Sequence, residues 1–444
     1  MSVTDPLPPV DDAGDPPARL HADDLVDFVA ASPSSFHAAA EGARRLREAG
    51  FVEQDETLPW DASAGGHYLV RDGALMAWWV PEGASPASRF RVVGSHTDSP
   101  GFKLKPDPQL FQHGYSQLGV EVYGGPLLNS WLDRELGVAG RLVSTDGEQH
   151  LVRTGAVARI PQLAIHLDRG ANDQLTLDKQ QHTAPLLDMV GGTSVLEVLA
   201  EQAGLRPREV AGHDLVVFPT ERGGYFGDFG QFLACPRLDN LSSLHASLTA
   251  LLAATADGGT DVPPEAGGDI AVLAGFDHEE IGSASRSGAN GPVLEDVLRR
   301  TARALGADPD QVDAMITGSS CLSADAGHAV HPNYPGHHDP VNRPLLGAGP
   351  LLKINANQRY ATDAVGSALW RRACDAAGVR TQPFVSKNTI PCGSTIGPLT
   401  ATRLGLRVVD VGTPLLSMHS AREMCAVDDV YALSLALAAY WRGA

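Results

Sequence analysis

Cysteine is scarce in this chain: Cys235, Cys321, Cys374, Cys392 and Cys425 are the only five among 444 residues. Their number is odd, their spacing is wide and no two form a C-x-x-C pair, which argues against a disulfide framework and a thiolate zinc site. Free, mostly buried thiols in a reducing compartment are expected instead. Basic charge is short as well. With 34 Lys and Arg against 53 Asp and Glu, the formal net charge is -19, a balance that disfavours nucleic acid and anionic membranes as partners. An acidic substrate would need a local cationic pocket. Long apolar runs are also missing, since the longest strongly apolar stretch, 430–441, is too short to span a bilayer. The Pro- and Asp-rich segment 1–17 has no basic region followed by an apolar one, so a loose tail is expected and not a signal peptide. A soluble cytoplasmic protein follows.

Several catalytic frames are missing too. His278-Glu279-Glu280-Ile281-Gly282 begins like H-E-x-x-H but lacks the second His, which excludes a helical zincin site. No Ser has Gly at both minus two and plus two, so there is no nucleophile elbow. Neither a Gly-rich frame ending in Gly-Lys-Ser/Thr nor G-x-G-x-x-G occurs, and nucleotide cofactors recede.

What is present is ordinary globular composition, 43% hydrophobic and 20% charged, in a chain longer than one core usually serves. Two domains are expected, at least one of them large. Helices are predicted over 23–31 and 34–49, the second capped by Ser34 or Ser35, followed by strands at 74–80 and 89–94. From about Gly119 to Leu167 the texture changes to short β-type runs, such as 119–123 and 138–143, separated by Gly and Asp. That reads as a β-rich insertion. Alternation then resumes, with helices at 238–254, 293–305, 362–377 and 430–441 and strands at 269–276 and 406–411. The pattern predicts an α/β layered domain in which helices pack on a mixed, largely parallel sheet. There is no solenoid repeat, and the low-complexity stretch 257–268 reads as a surface loop.

Glu279 and Glu280 stand where the apolar run Ile270-Ala-Val-Leu-Ala-Gly-Phe276 gives out. A carboxylate beside a core needs a partner or a metal, and two adjacent ones suit a division of labour in which one ligates while the other moves a proton. Other acids and histidines sit at similar places, where ligands of α/β sheets gather. His96 and Asp98 follow Val92-Val-Gly-Ser, two residues apart, so an extended chain would point both to one side and Asp98 could orient a ligating His96. Asp239 opens the helix at 238–254, where the plain role is an N-cap. Asp325 and His328 follow 316–322, and His419 follows the strand at 406–411. Two His and several carboxylates without thiolate suit Zn, Mn or Co in a working site.

Seven segments together carry a resemblance. Gly94-Ser-His-Thr-Asp-Ser-Pro-Gly-Phe102, Pro236-Arg-Leu-Asp-Asn-Leu241, Phe276-Asp-His-Glu-Glu-Ile-Gly282, Asp325-Ala-Gly-His-Ala-Val-His-Pro-Asn-Tyr334, Asn355-Ala-Asn-Gln-Arg-Tyr360, Pro391-Cys-Gly-Ser-Thr-Ile-Gly-Pro398 and Met418-His-Ser-Ala-Arg-Glu423 resemble, in order, the aspartyl aminopeptidase family, dinuclear zinc enzymes that include vacuolar-type aminopeptidases. The resemblance implies a discontinuous catalytic domain, 1–103 and 236–444, with an inserted β-rich dimerisation domain, 104–235. It implies two divalent ions per subunit, zinc first and Mn or Co as alternatives: His96 and Asp325 on one, Glu280 and His419 on the other, Asp239 between them. Asp98 would orient His96 and Glu279 would be the general base.

By the same resemblance the substrates are peptides with N-terminal Asp or Glu, held by Lys353 and Tyr360 near His328. His166 would reach a neighbouring subunit's site in a dodecamer built from dimers. Thr389 and Ile390 depart from the family pattern, which is more polar there and often has Asp. A preference for neutral N-terminal residues such as Leu is therefore the alternative. A degenerate scaffold would show lost ligands or a lost base, and those positions all hold competent residues.

Overall fold

The computed structural model describes residues 16–189, 191–256 and 268–444. Most of the expected tail and nearly all of the expected loop at 257–268 lie outside the described residues. A nine-stranded mixed sheet carries the layered part, in the order Val52–Glu53, Gly65–Arg71, Ala74–Val80, Ile270–Phe276, Phe90–His96, Ser320–Ala324, Arg407–Gly412, Leu351–Lys353 and Gln382–Phe384. Its four central strands, from Ile270–Phe276 to Arg407–Gly412, run parallel. Antiparallel pairs flank them.

Strand periodicity decides which side each residue serves. Leu75 and Ala77 face one apolar cluster while Met76 and Trp78 face the other, and Leu273 and Val272 divide in the same way, as a period of two requires. Helices Pro17–Ala31, Ser35–Glu48, Leu238–Thr255, Ala364–Ala376 and Val427–Trp441 cover the first face, and Val293–Ala304, Pro309–Thr317 and Ile396–Leu404 the second. Truncating a fully buried leucine of this core, such as Leu273, to Ala costs about 2–5 kcal/mol.

A separate six-stranded antiparallel sheet has the order Gln149–Arg153, Leu136–Ser144, Val210–Pro219, Gly101–Gln112, Tyr115–Tyr123 and Leu186–Met189. It has its own apolar cluster, including Phe102, Trp131, Leu142 and Leu215. The β-rich texture thus begins at Gly101, earlier than the expected 119, and continues past the expected 167 with Leu186–Met189 and Val210–Pro219. Mixed sequences such as Lys103-Leu-Lys-Pro hide the first strand.

Other boundaries moved less. The first helix starts at Pro17, where Pro at N1 suits a helix start, and Ser34 caps the second by accepting from His37 N. The helix expected at 238–254, opening at Asp239 or Asn240, spans Leu238–Thr255. Leu238–Thr255 contains non-helical dihedrals at both residues, and their peptide bond is cis. The Asp239 side chain does not cap the helix: its Oδ1 is buried without a hydrogen bond and its two oxygens turn to the site described next. Helices Val195–Gln202, Pro309–Thr317 and Ile396–Leu404 were not predicted, being short and weakly periodic.

Candidate metal centre and its cleft

The site forms at the carboxyl ends of the parallel strands, where the topology leaves a crevice. His96 ends Phe90–His96 and pairs in register with Phe276, which brings the following Glu279 and Glu280 beside it. Past Phe276 the chain turns through a left-handed His278, one 3-10 turn over Glu279–Ile281 and a left-handed Gly282. Asp325 follows Ser320–Ala324. Its carbonyl lies so close to Gly412 that a Cβ there would sit 1.6 Å from the oxygen, so only glycine permits the approach. His419 has a left-handed φ of 66°, in a turn between Pro414–Leu415 and Glu423–Ala426.

Five of the side chains meet in pairs. His96 Nε2 lies 3.4 Å from Asp239 Oδ1 and 3.6 Å from Asp325 Oδ1, and His419 Nε2 lies 3.3 Å from Asp239 Oδ2 and 3.5 Å from Glu280 Oε2. Charge-assisted N–H···O bonds are shorter, about 2.7–2.9 Å. Two ligands held tetrahedrally at about 2.0–2.1 Å from a shared zinc stand about 3.4 Å apart, which matches these spacings. Asp239 turns one oxygen to each histidine, the disposition of a bridging carboxylate. His96, Asp239 and Glu280 each offer a donor atom within 4.8 Å of the others. Asp239 Oδ1 and Glu280 Oε1 are buried without a hydrogen bond, a costly state for a carboxylate that a cation relieves. The donor set fits zinc.

Electrostatics agree with the geometry. Burial, then the charges of Asp325, Asp239 and Asp98, push the Glu279 carboxyl up to about 8 against the pull of His96. For His419, burial is overridden by Asp239 and Glu280, and the imidazole rises to about 10. Burial likewise fails to keep His96 low: Asp239, Asp325 and Asp98 hold it well above the usual histidine range. A cluster with this excess of acid attracts cations.

Glu279 stands apart from the paired set, its Oε2 4.0 Å from His96 Nε2. Asp98 Oδ1 lies 3.3 Å from His96 Nδ1 and accepts from Glu279 N at 3.1 Å, while Oδ2 accepts from Glu280 N at 3.2 Å and from the Tyr123 hydroxyl at 2.7 Å. Asp98 thus anchors the Glu pair as well as facing His96. Glu423, which sequence reasoning passed over, accepts from the backbone N–H of both Asp239 and His419. An acid inside the otherwise uncharged run Glu423-Met-Cys-Ala-Val427 was the available signal; Tyr123 offered none, since its contact depends on two sheets meeting.

The cleft of about 590 Å³ is lined by His96, Asp239, Glu279, Glu280, Asp325 and His419 together with His328, Lys353 and Tyr360. Lys353 is fully buried, donates to Ala326 O at 2.6 Å and lies 3.7 Å from Asp325 Oδ2, with the Tyr360 ring 5.4 Å away. A neighbouring compartment is walled by His331, Phe384, Lys387 and Ile390. His166 is not in the cleft of its own chain; it sits on an exposed turn between Ile165 and Leu167. All five cysteines are free and all but Cys392 are buried. Among the described residues no helix is long and apolar enough to cross a membrane.

Comparison with known proteins points the same way. The family model described as aminopeptidase I zinc metalloprotease (M18) matches residues 28–441. A probable M18 family aminopeptidase 2 of Streptomyces avermitilis is 50% identical over 431 residues, covering 96% of this chain and 98% of the relative. Among solved structures, the complex of Ape4 and Nbr1 matches with a TM-score of 0.90 at 34% identity, over 96% of this chain and 86% of that one. The S. cerevisiae mApe1 dodecamer matches with a TM-score of 0.83 at 29% identity, over 95% and 97%. The chain belongs to the M18 family of aminopeptidases, which are zinc metalloproteases.

Proposed function

We propose that this aminopeptidase holds two divalent ions, zinc first, and removes N-terminal Asp or Glu from peptides. The observation that carries the two-ion reading is Asp239, whose oxygens face His96 and His419 separately. His96 and Asp325 would hold one ion and Glu280 and His419 the other. When bound, such ions polarise the scissile carbonyl and acidify water. Glu279 takes the proton of the attacking water and delivers it to the leaving amine, a task for a carboxylate outside the ligand pairs. Asp98 keeps His96 in the orientation that directs Nε2 inward.

Lys353 supports the acidic preference, because a buried cation at the cleft wall suits a substrate carboxylate. A second reading, preference for a neutral residue such as Leu, draws on Asp325 and Ala326, which already engage Lys353, and on the apolar Ile390 nearby. Rates on otherwise identical peptides with N-terminal Asp, Glu or Leu separate the two. Faster cleavage of the Asp and Glu peptides is expected; faster Leu cleavage overturns it.

We also infer a homo-oligomer, a dodecamer built from dimers, with 104–235 as an inserted dimerisation domain. Leu163, Ile165 and Leu167 are exposed around His166, as suits a loop that enters a neighbour's cleft. Free thiols fit a cytoplasmic location.

A further inference from the structure

Glu423 is only 1% exposed and pairs with Cys235 in the antiparallel ribbon that leads into Asp239. Its oxygens serve different segments: Oε2 accepts from Asp239 N at 2.9 Å and Oε1 from His419 N at 2.7 Å. One planar group therefore fixes the separation of two backbones whose side chains meet at 3.3 Å. Beyond Glu423, His419 leans on the segment 125–127, where Leu127 N donates to its carbonyl at 2.9 Å. Its side chain is 31% exposed, its backbone is left-handed, and its Nδ1 has Gly125 O as partner at 3.0 Å.

A buried carboxylate beside Asp239 adds negative charge where it is least welcome, so packing alone does not account for it. Bonding two N–H groups at once does, because a glutamine offers one acceptor oxygen and turns an NH2 group against the second donor.

We propose that Glu423 is a positioning residue that sets the spacing of Asp239 and His419 and thereby, above all, the affinity of the ion between Glu280, His419 and Asp239, the ion at His96 and Asp325 being affected less because only Asp239 links it to Glu423. The inference rests on the two-ion reading above. Loss of an outer carboxylate that orients ligands typically lowers metal affinity about 10–100-fold.

The test is zinc titration of the full-length protein against a chromophoric chelator, wild type beside Glu423→Gln, with thermal unfolding of the metal-free and zinc-loaded forms. In the variant one of two zinc affinities is expected to fall about 10–100-fold, and the zinc-dependent rise in Tm to shrink accordingly. Glu423→Asp, which keeps the charge but is too short to span both N–H groups, should show the same selective loss and serves if the Gln variant does not fold. A lower Tm of the metal-free protein with both zinc affinities unchanged overturns the proposal and leaves Glu423 a scaffold residue. An equal fall at both sites overturns it as well. A wild type that binds fewer than two zinc ions removes the two-ion reading itself, and with it this proposal.

Discussion

The Tyr123 hydroxyl donates to Asp98 Oδ2 at 2.7 Å, joining the last residue of strand Tyr115–Tyr123 in the six-stranded sheet to the loop beyond strand Phe90–His96 in the nine-stranded one. The second sheet therefore helps to build the site. Tyr123→Phe keeps the ring and removes one of the donors that fix Asp98. Steady-state kinetics should show kcat reduced about tenfold with KM little changed; an unchanged kcat would leave Asp98 held by the Glu279 and Glu280 amides alone.

Ligand substitutions should split by ion. Glu280→Ala and His419→Ala are expected to drop the zinc content from about two to about one per chain, and Asp239→Ala to lower both affinities, since both histidines face it. Elemental analysis showing full occupancy in Glu280→Ala or His419→Ala contradicts their assignment.

Lys353→Met should weaken acidic selectivity. A hydrogen bond to a charged group contributes about 1.5–3 kcal/mol, so the ratio of kcat/KM for Asp over Leu peptides is expected to fall about 10- to 100-fold. The ratio matters more than either rate, because Lys353 also lies 3.7 Å from Asp325 and its loss slows every substrate. An unchanged ratio would assign Lys353 to Asp325 alone.

Stability should fall in mild acid. Burial, then the charge of His245, lowers His21 to about 3, and burial, then Arg153 and Arg237, lowers His37 to about 4. Both folded values lie below the unfolded value of about 6.5, so the unfolded chain binds more protons as the pH falls from 6.5 toward 4. Their contribution is complete above pH 6.5 and declines through that window. Urea unfolding midpoints should be lower at pH 5 than at pH 7.5, and the gap should narrow in His21→Leu. An identical gap in the variant would remove His21 from the account.

Much of the site was legible because its residues end apolar strands. His96 follows Val92 and Val93, and Glu279 and Glu280 follow Phe276; buried parallel strands announce themselves by such runs. Asp239 was harder to read, since an acid ahead of an amphipathic stretch looks like an N-cap until its oxygens are seen to face His96 and His419. Tyr123 acts through a contact between distant segments, which no local pattern encodes, and Glu423 left only an acid in an otherwise uncharged run as its signal. Strand Gly101–Gln112 was missed because its mixed polar sequence, partly exposed, lacks strict alternation.

The division of labour between the adjacent acids is tested most directly by Glu279→Gln, with zinc content and peptide hydrolysis measured on the same sample. The variant is expected to retain both zinc ions while turnover falls by about two decades or more. Near wild-type hydrolysis by the zinc-loaded variant, or loss of zinc in step with activity, would contradict the assignment of Glu279 as proton carrier and Glu280 as ligand.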